Sequence, residues 1–198
     1  MRPTCDVVLA TTKADPLMQD LSRFTMPPGF RGRSAWVVQL WWLTQSLLFH
    51  SSPQFAYGFR RFLLRLFGAD IGHKVLLRPS VTITYPWKVS IGDYAWVGDD
   101  VVLYSLGEID IGAHSVVSQR SYLCAGDHDF QSETFAIRAR RIVLGQRVWV
   151  ATDVFVAPGV TIGDGTVVGA RSSVFTDLPA EMVCVGCPAK AVKPRKGD

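Results

Sequence analysis

Aliphatic residues recur every six positions along most of this chain of 198 residues. All fifteen positions of the repeat are Ile, Leu or Val, and two short insertions and one longer break divide them into three triplets and a final run of six, which makes two more triplets. The positions are Ile71, Leu77, Ile83, Ile91, Val97, Leu103, Ile111, Val117, Leu123, Leu144, Val150, Val156, Ile162, Val168 and Val174. A small or β-branched residue usually stands two positions before the next aliphatic residue. Each triplet also has a glycine after its first aliphatic residue, at Gly72, Gly92, Gly112, Gly145 and Gly163.

A six-residue period with one large and one small inward position is typical of a parallel β-helix. Each hexapeptide makes a short strand and a corner, and three make a triangular coil. We therefore predict an all-β fold, with five coils over residues 71–179. The glycines indicate a corner that needs a positive φ or a close backbone approach. The alternative, a β-sandwich, predicts a period of two, which does not explain this register.

Composition excludes several classes of protein. Hydrophobic residues make up 48% of the chain, enough for a sizeable core, and the net charge is only +4. The basic residues form three small clusters, which favour anionic small molecules or a membrane surface, and no nucleic-acid partner is expected. The clusters are Arg60, Arg61 and Arg65; Arg138, Arg140 and Arg141; and Lys190, Lys193, Arg195 and Lys196.

The four cysteines, at positions 5, 124, 184 and 187, lack the spacing of a disulfide framework, and the first residues lack the apolar run of a signal peptide. A cytoplasmic location is therefore expected. Cys184 and Cys187 have the spacing of half a metal site, but no second pair of ligands follows. The sequence CVGCPAK instead predicts a tight turn at Gly186 and Pro188, and we expect no metal.

The N-terminal segment, residues 1–70, is predicted to place helices over the first coil. Residues 34–49 are apolar but too few to span a bilayer. The next helix ends at Gly68 and has an apolar stripe flanked by arginines. The stripe consists of Phe55, Phe59, Phe62 and Leu66, with Arg61 and Arg65 beside it. Two interpretations stay open, a cap on the solenoid and a peripheral membrane contact through residues 34–67 at the inner face of the membrane. Residues 180–198 are expected to leave the repeat as a basic tail.

The repeat breaks at the sequence GDHDF, which contains His128 between two aspartates. Imidazole titrates near neutral pH, so it suits a general base. A coil that ends at His128 would place the side chain in a cleft, covered by an extruded loop over residues 129–143. The alternative is a surface histidine beside a tolerated insertion. His73 and His114 occupy other repeat positions, and we expect both at solvated corners.

Five stretches carry a family resemblance: IGDYAWVGDDVVLY, the break GDHDF, WVATDVFVAPGVTIGDG, VTIGDGTVVGARSSV and the ending VGCPAK. Together they resemble the left-handed β-helix acyltransferases and, among them, the sugar O-acetyltransferases. The N-terminal stretches LWWLTQSLLF and YGFRRFLLRLFGADIG are similar to the colanic acid biosynthesis acetyltransferases.

The resemblance implies a left-handed β-helix, a homotrimer with active sites between adjacent subunits, acetyl-coenzyme A as co-substrate and a sugar or glycan acceptor. It implies that His128 is the general base. Asp100 and Ser105 match acceptor-pocket positions, where relatives often have asparagine and aspartate respectively, so the acceptor itself is not identified. The positions that match coenzyme-binding residues are Trp149, Thr152 (through its backbone N–H), Ala170, Phe175, Thr176, Lys190 and Lys193.

Acetyl transfer to a hydroxyl needs a base to remove the proton and fixed donors for the oxyanion. Asp127, Asp129 or a backbone carbonyl could hold the other ring nitrogen of His128. Tyr85 and Trp87 could frame a sugar face or pack against the N-terminal helices. Alternatives to O-acetylation are N-acetylation of an amino sugar, which needs the same base, and a non-catalytic trimeric scaffold.

Overall fold

The computed structural model describes residues 19–195, and most of them form a parallel β-solenoid. Three strands make each coil, and every strand pairs in parallel with its counterpart in the next coil, so the solenoid has three flat faces. The first face contains β1 (Asp70–Ile71), β4 (Val89–Ile91), β7 (Ile109–Ile111), β12 (Ile142–Leu144) and β15 (Thr161–Ile162).

The other two faces are built in the same way. The second face contains β2 (Leu76–Leu77), β5 (Trp96–Val97), β8 (Val116–Val117), β13 (Trp149–Val150), β16 (Val167–Val168) and β18 (Met182–Gly186), and it ends in the antiparallel strand β19 (Ala189–Pro194). The third face contains β3 (Thr82–Ile83), β6 (Val102–Tyr104), β9 (Tyr122–Cys124), β14 (Phe155–Val156) and β17 (Ser173–Val174). The parallel β-helix predicted from the repeat is confirmed.

The repeat residues form the core. All fifteen aliphatic side chains are at most 4% exposed, because each is the inward residue of its strand. The small set two positions earlier is buried as well. Where this set is polar, its hydroxyls are bonded inside the solenoid: Ser115 donates to the carbonyl of Gly145 and Ser121 to that of Ala151, both at 2.8 Å. The serines therefore link neighbouring coils without an unpaired buried group.

The corner glycines serve close approach between coils. None of the five is among the residues with positive φ. A Cβ built on Gly92 would lie 2.5 Å from the backbone nitrogen of Ala113 in the next coil. Of the two explanations for these glycines, the structure supports the backbone contact.

The solenoid has slightly more than the five predicted coils. Leu178 forms a bridge to Ile162, and β18 extends the second face in parallel with β16. β19 then returns antiparallel to β18 through the turn at Cys187 and Pro188. Much of the segment expected to leave the repeat after residue 179 thus forms a partial sixth turn and a hairpin; residues 196–198, with Lys196, lie outside the described residues.

Two helices cover the first coil. α1 (Ala35–Thr44) continues into a π-helical turn (Gln45–Phe49), and α2 (Tyr57–Leu66) follows. An uncovered coil exposes unpaired backbone groups, which need partners. Trp41 donates its indole N–H to the carbonyl of Ile83 at 2.8 Å, and the side-chain oxygen of Gln45 accepts from the amide of Ile83 at 2.8 Å. The predicted helical cap is therefore present.

Arg60 is the central cap residue. Its side chain is 0% exposed, and it donates to the carbonyls of Leu77, Pro53 and Gln54 and to the hydroxyl of Ser52, at 2.7–2.8 Å. Burial lowers the pKa of this guanidinium. The four hydrogen bonds tie α2, the turn before it and the first coil together.

The orientation of α2 differs from what its amphipathic pattern suggests for a cap. The apolar stripe faces outward, because the inner side carries Arg60, Leu63 and Leu64. Arginines face the coil because its carbonyls need donors: Arg61 donates to the carbonyl of Val75, and Arg65 to that of Ile71. Phe55, Phe59, Phe62 and Leu66 are 41–82% exposed.

Candidate active site

The break in the repeat is a β-hairpin that leaves the third face after β9. β10 (Gly126–His128) pairs antiparallel with β11 (Ile137–Ala139), so His128 lies opposite Ile137 at the tip of the paired region. The chain returns to the solenoid at β12. The segment expected as an extruded loop over residues 129–143 is therefore a short loop followed by two strands.

A backbone carbonyl holds the ring of His128. Its Nδ1 lies 2.8 Å from the carbonyl oxygen of Phe135, and a carbonyl only accepts. The proton of neutral His128 therefore sits on Nδ1, which leaves the lone pair on Nε2. This selects the backbone carbonyl among the three orienting groups that the sequence left open.

Two aromatic rings fix the plane of His128. The ring of Phe135 stacks on it at 4.2 Å and 7°, and the ring of Phe24 lies at 5.9 Å and 55°. Phe24 comes from the N-terminal segment, which is tied to the hairpin loop by an ion pair between Arg23 and Glu133 at 2.5 Å. The amide of Asp20 also donates to the carbonyl of Glu133, at 2.7 Å. These two ring contacts restrict the rotation of the His128 side chain.

The flanking aspartates serve the hairpin rather than the imidazole. Asp127 accepts from Arg138 at 2.9 Å and from Arg140 at 2.5 Å. Burial opposes ionisation of Asp127, but these hydrogen bonds and the two positive charges outweigh it, so its pKa lies below the usual value. The Oδ2 atom of Asp129 lies 3.9 Å from Nη1 of Arg138. The two aspartates therefore bracket His128 without bonding to its ring.

The predicted acceptor residues fall into two groups. Ser105 is 0% exposed, and its hydroxyl bonds the amide and carbonyl of Tyr85 at 2.8 and 3.0 Å. Tyr85 is buried and stacks on Trp87 at 5.3 Å, and Trp87 donates to the carbonyl of Arg31. Tyr85 and Trp87 thus pack against the N-terminal segment, and Ser105 holds the backbone of Tyr85. Asp100, by contrast, is exposed at a corner, with φ +57°.

Asp100 belongs to the edge where the second and third faces meet, and two predicted coenzyme residues share that edge. Thr152 and Ala170 lie there on successive coils, joined through the amide of Arg171, which donates to the Thr152 carbonyl at 2.9 Å. The Thr152 hydroxyl donates to the carbonyl of Gln119 at 3.0 Å. Its backbone N–H has no hydrogen-bond partner among residues 19–195, so it can serve as a donor to a ligand.

The remaining predicted coenzyme residues lie on the two faces beside this edge. Trp149 is 47% exposed on the second face and donates to Ser118 at 3.0 Å. Phe175 and Thr176 are exposed at the end of the third face, and Lys190 and Lys193 are exposed on β19.

A shallow cleft of about 500 Å³ surrounds Trp149 on the second face. Trp96 and Val116 form its apolar floor, and Arg147 and Arg195 line it. An apolar floor with cationic side chains fits a molecule that combines a nucleobase, a chain of methylenes and phosphates. Neither arginine was among the predicted coenzyme-binding residues, although Arg195 belongs to the C-terminal basic cluster noted in the sequence.

The outward sides of the second and third faces are unusually apolar. On the second face, Trp96, Val116 and Trp149 stand in register on successive coils. On the third face, Tyr122 stacks on Phe155 at 6.2 Å. The outward residues of the first face include Asp70, Ser90 and Asp110 instead.

The histidines outside the break have other surroundings. His114 stacks on Tyr94 at 5.1 Å, and His73 meets the edge of the same ring at 5.9 Å; both histidines are exposed. Within residues 19–195, no group of three or more histidine, cysteine or acidic residues could hold a metal ion.

The sequence did not identify the residues that orient His128. Phe135 lies seven residues away and Phe24 more than a hundred, and neither belongs to the repeat. Nothing in the sequence around a phenylalanine indicates that its ring orients a distant histidine. Phe135 has φ +49°, a conformation that residues other than glycine rarely adopt, but only the structure shows this.

Comparison with known proteins places the chain in a family. No protein-family model matches it. The colanic acid biosynthesis acetyltransferase WcaF of Escherichia coli K12 is 66% identical over 178 residues, which cover 90% of this chain and 98% of WcaF. The chain belongs to the colanic acid biosynthesis acetyltransferase family. The predicted family and the prediction of an acetyltransferase are thereby confirmed.

Solved structures show the same fold in other acetyltransferases of this kind. A Vibrio cholerae hexapeptide-repeat acetyltransferase in complex with acetyl-coenzyme A has a TM-score of 0.75 and 25% identity, over 84% of this chain and 92% of that one. A galactoside acetyltransferase in complex with coenzyme A has a TM-score of 0.75 and 23% identity, over 86% of this chain and 84% of that one.

Proposed function

We propose that this acetyltransferase moves the acetyl group of acetyl-coenzyme A to a sugar hydroxyl during assembly of a colanic acid-like exopolysaccharide. The observation that carries the proposal is the hydrogen bond from Nδ1 of His128 to the carbonyl of Phe135, which leaves Nε2 able to accept a proton. The 66% identity to WcaF supports the polymer class, and the solved relatives in complex with acetyl-coenzyme A and coenzyme A support the co-substrate.

In this proposal, His128 is the general base. Nε2 removes the hydroxyl proton as the sugar oxygen attacks the thioester carbon, and the imidazolium keeps its bond to Phe135. The backbone N–H of Thr152 donates to the oxyanion that forms. Proton return from His128 to the departing thiolate then completes the transfer.

The other predicted residues bind the two substrates. Trp149, Ala170, Phe175 and Thr176 would contact the adenine and the pantetheine arm, with Lys190 and Lys193 near the phosphates. Asp100 would contact the acceptor. Ser105, Tyr85 and Trp87 are no longer assigned to the acceptor, since the structure gives them packing partners within the chain.

A homotrimer would bring these groups together. In a cyclic trimer, one patch of each subunit meets a different patch of the next, so two separate contact surfaces are needed. The apolar outer sides of the second and third faces supply them, and the edge that carries Thr152 and Ala170 lies between. His128 extends from the third face, so it can complete the site on a neighbouring subunit. We place this assembly in the cytoplasm.

The test is thiol release from acetyl-coenzyme A with a panel of sugar acceptors. We expect His128→Ala to lower kcat by about 10²- to 10⁴-fold, the usual contribution of a general base. His73→Ala is the matched control, because His73 is an exposed histidine on the same solenoid and lies outside the cleft around Trp149. Retained activity in His128→Ala would remove the base assignment. Absence of coenzyme binding by the wild type would favour a scaffold, and amino-sugar acetylation alone would redirect the proposal to N-acetylation.

A further inference from the structure

Each of the two cap helices exposes an apolar stripe on the side away from the solenoid. The α1 stripe, which continues into the π-helical turn, consists of Trp36 (85% exposed), Leu40 (56%), Leu43 (56%) and Leu47 (61%). The α2 stripe consists of Phe59 (41%), Phe62 (58%) and Leu66 (65%), together with Phe55 (82%) in the turn before the helix. Leu40 and Leu66 line one shallow groove, so the two stripes adjoin. We call this combined surface the cap face.

An exposed apolar surface of this size indicates a binding partner, because isolated soluble surfaces rarely keep so many large apolar groups together. Burial against the solenoid does not explain the cap face. The inner sides of both helices already hold the first coil through other residues, including Trp41, Arg60 and Leu64.

The cap segment is also strongly basic. Residues 21–69 contain six arginines and no Asp or Glu. Since the whole chain has a net charge of +4, the rest of it carries a formal charge of −2. Arg23 pairs with Glu133 of the hairpin loop, and the other five arginines leave a positive formal charge in the segment that carries the cap face. Arg33 is exposed and lines the same groove as Leu40 and Leu66.

We propose that the cap face docks on an anionic lipid bilayer. Its apolar side chains would enter the interface, and the exposed Arg33 beside them would lie at the level of the phosphate headgroups. Docking on a second copy of the chain is less favourable, because face-to-face contact would bring two arginine-rich segments together. Among residues 19–195, no helix is long and apolar enough to cross the bilayer, so contact would be confined to one leaflet.

Docking would bring the proposed active site near the membrane. The hairpin with His128 leaves the third coil, two coil spacings from the capped one, and neighbouring coils are about 4.8 Å apart. This placement suits an acceptor glycan attached to a lipid, a consequence that rests on the proposed function.

The test is flotation of the full chain with phosphatidylcholine vesicles, with and without phosphatidylglycerol. We expect binding to the anionic vesicles that weakens with salt, and about tenfold weaker binding for the double variant Phe55→Ser, Phe62→Ser. Arg33→Glu should also weaken binding. The matched control is Val185→Ser, Val192→Ser, which removes two exposed valines near the opposite end and should bind like the wild type.

Equal flotation of the Phe55/Phe62 double variant and the wild type would overturn the proposal. The proposal would also be overturned if the wild type did not float with the vesicles. It would equally be overturned if the wild type only formed end-to-end assemblies and the double variant no longer formed them. Both phenylalanines lie outside the core, and a thermal melt verifies that the variant folds. Acetyl transfer to a free sugar should be unchanged in the variant, so loss of docking and failure of the proposed chemistry give different results.

Discussion

Replacement of Arg60 tests how the solenoid is closed at its first coil. Arg60→Met keeps much of the apolar stem but removes donors to four groups, two of them buried: the carbonyl of Leu77 and the hydroxyl of Ser52. An unsatisfied buried polar group costs about 1–3 kcal/mol, and removal of the charge recovers part of the guanidinium's own desolvation cost. We expect a net loss of about 3 kcal/mol in the free energy of unfolding.

The neighbouring Arg61 provides the control. Its guanidinium bonds the carbonyl of Val75 in a partly buried position, so Arg61→Met should cost less than about 1 kcal/mol. Urea and thermal unfolding, at one protomer concentration because assembly shifts apparent stability, measure both variants. Equal losses for the two variants would show that Arg60 is not the main closure of the solenoid, and the reasoning would be refuted.

Three further predictions concern the hairpin and the corners. Phe135→Gly keeps the carbonyl but removes the stacked ring, so kcat should fall while KM for acetyl-coenzyme A stays constant in steady-state assays; an unchanged kcat contradicts the positioning role. The pKa of Asp127 is lowered in the folded state, so its stabilising effect is present above its unfolded pKa and is lost as pH falls through the lower folded value. Acid unfolding followed by circular dichroism should show this loss in the wild type and not in Asp127→Asn, and identical profiles would contradict it. Gly92→Ala should lower the free energy of unfolding by about 2–4 kcal/mol, because the new Cβ would lie 2.5 Å from the backbone nitrogen of Ala113. The control is Gly58→Ala in α2, where the nearest atom lies at 3.8 Å, so this variant should be neutral or stabilising in thermal melts. Equal effects of the two substitutions would contradict the close contact at Gly92.

The sequence was sufficient for the solenoid because its rule is local and repeated. Each coil needs an inward aliphatic residue at the same step, and each tight corner excludes a side chain. Val97 and Gly92 therefore signal their positions without reference to the rest of the chain. The partial sixth turn could not be predicted in this way, because β18 pairs in parallel with β16 but its residues do not continue the six-residue repeat.

The inner side of α2 could not be deduced from hydrophobicity. The pattern of Phe59, Phe62 and Leu66 describes an apolar stripe, but not which way it faces. The open coil presents backbone carbonyls as well as apolar side chains, so Arg60 is the better inward residue. Only the structure shows that the need for donors decides the orientation.

The proposed base could be named from the sequence, whereas the groups that orient its ring could not. His128 stands at the break, and the resemblance assigns its role. The groups that hold it, Phe135 and Phe24, come together through the hairpin and the N-terminal segment, and such contacts have no local sequence pattern. Ser105 shows the reverse case: a position matched by resemblance is occupied here by a side chain that the chain uses for packing.

A mixed-subunit experiment tests the central claim most directly: that His128 of one protomer acts on a thioester held by the edge of the next. His128→Ala and Ala170→Trp, which would obstruct the proposed pantetheine path, should each be inactive. Co-refolding the two in equal amounts should restore thiol release to about one quarter of the wild-type rate, because a quarter of randomly assembled interfaces combine an intact histidine with an intact edge. Mixed trimers that stay as inactive as their parents would contradict an active site shared between subunits.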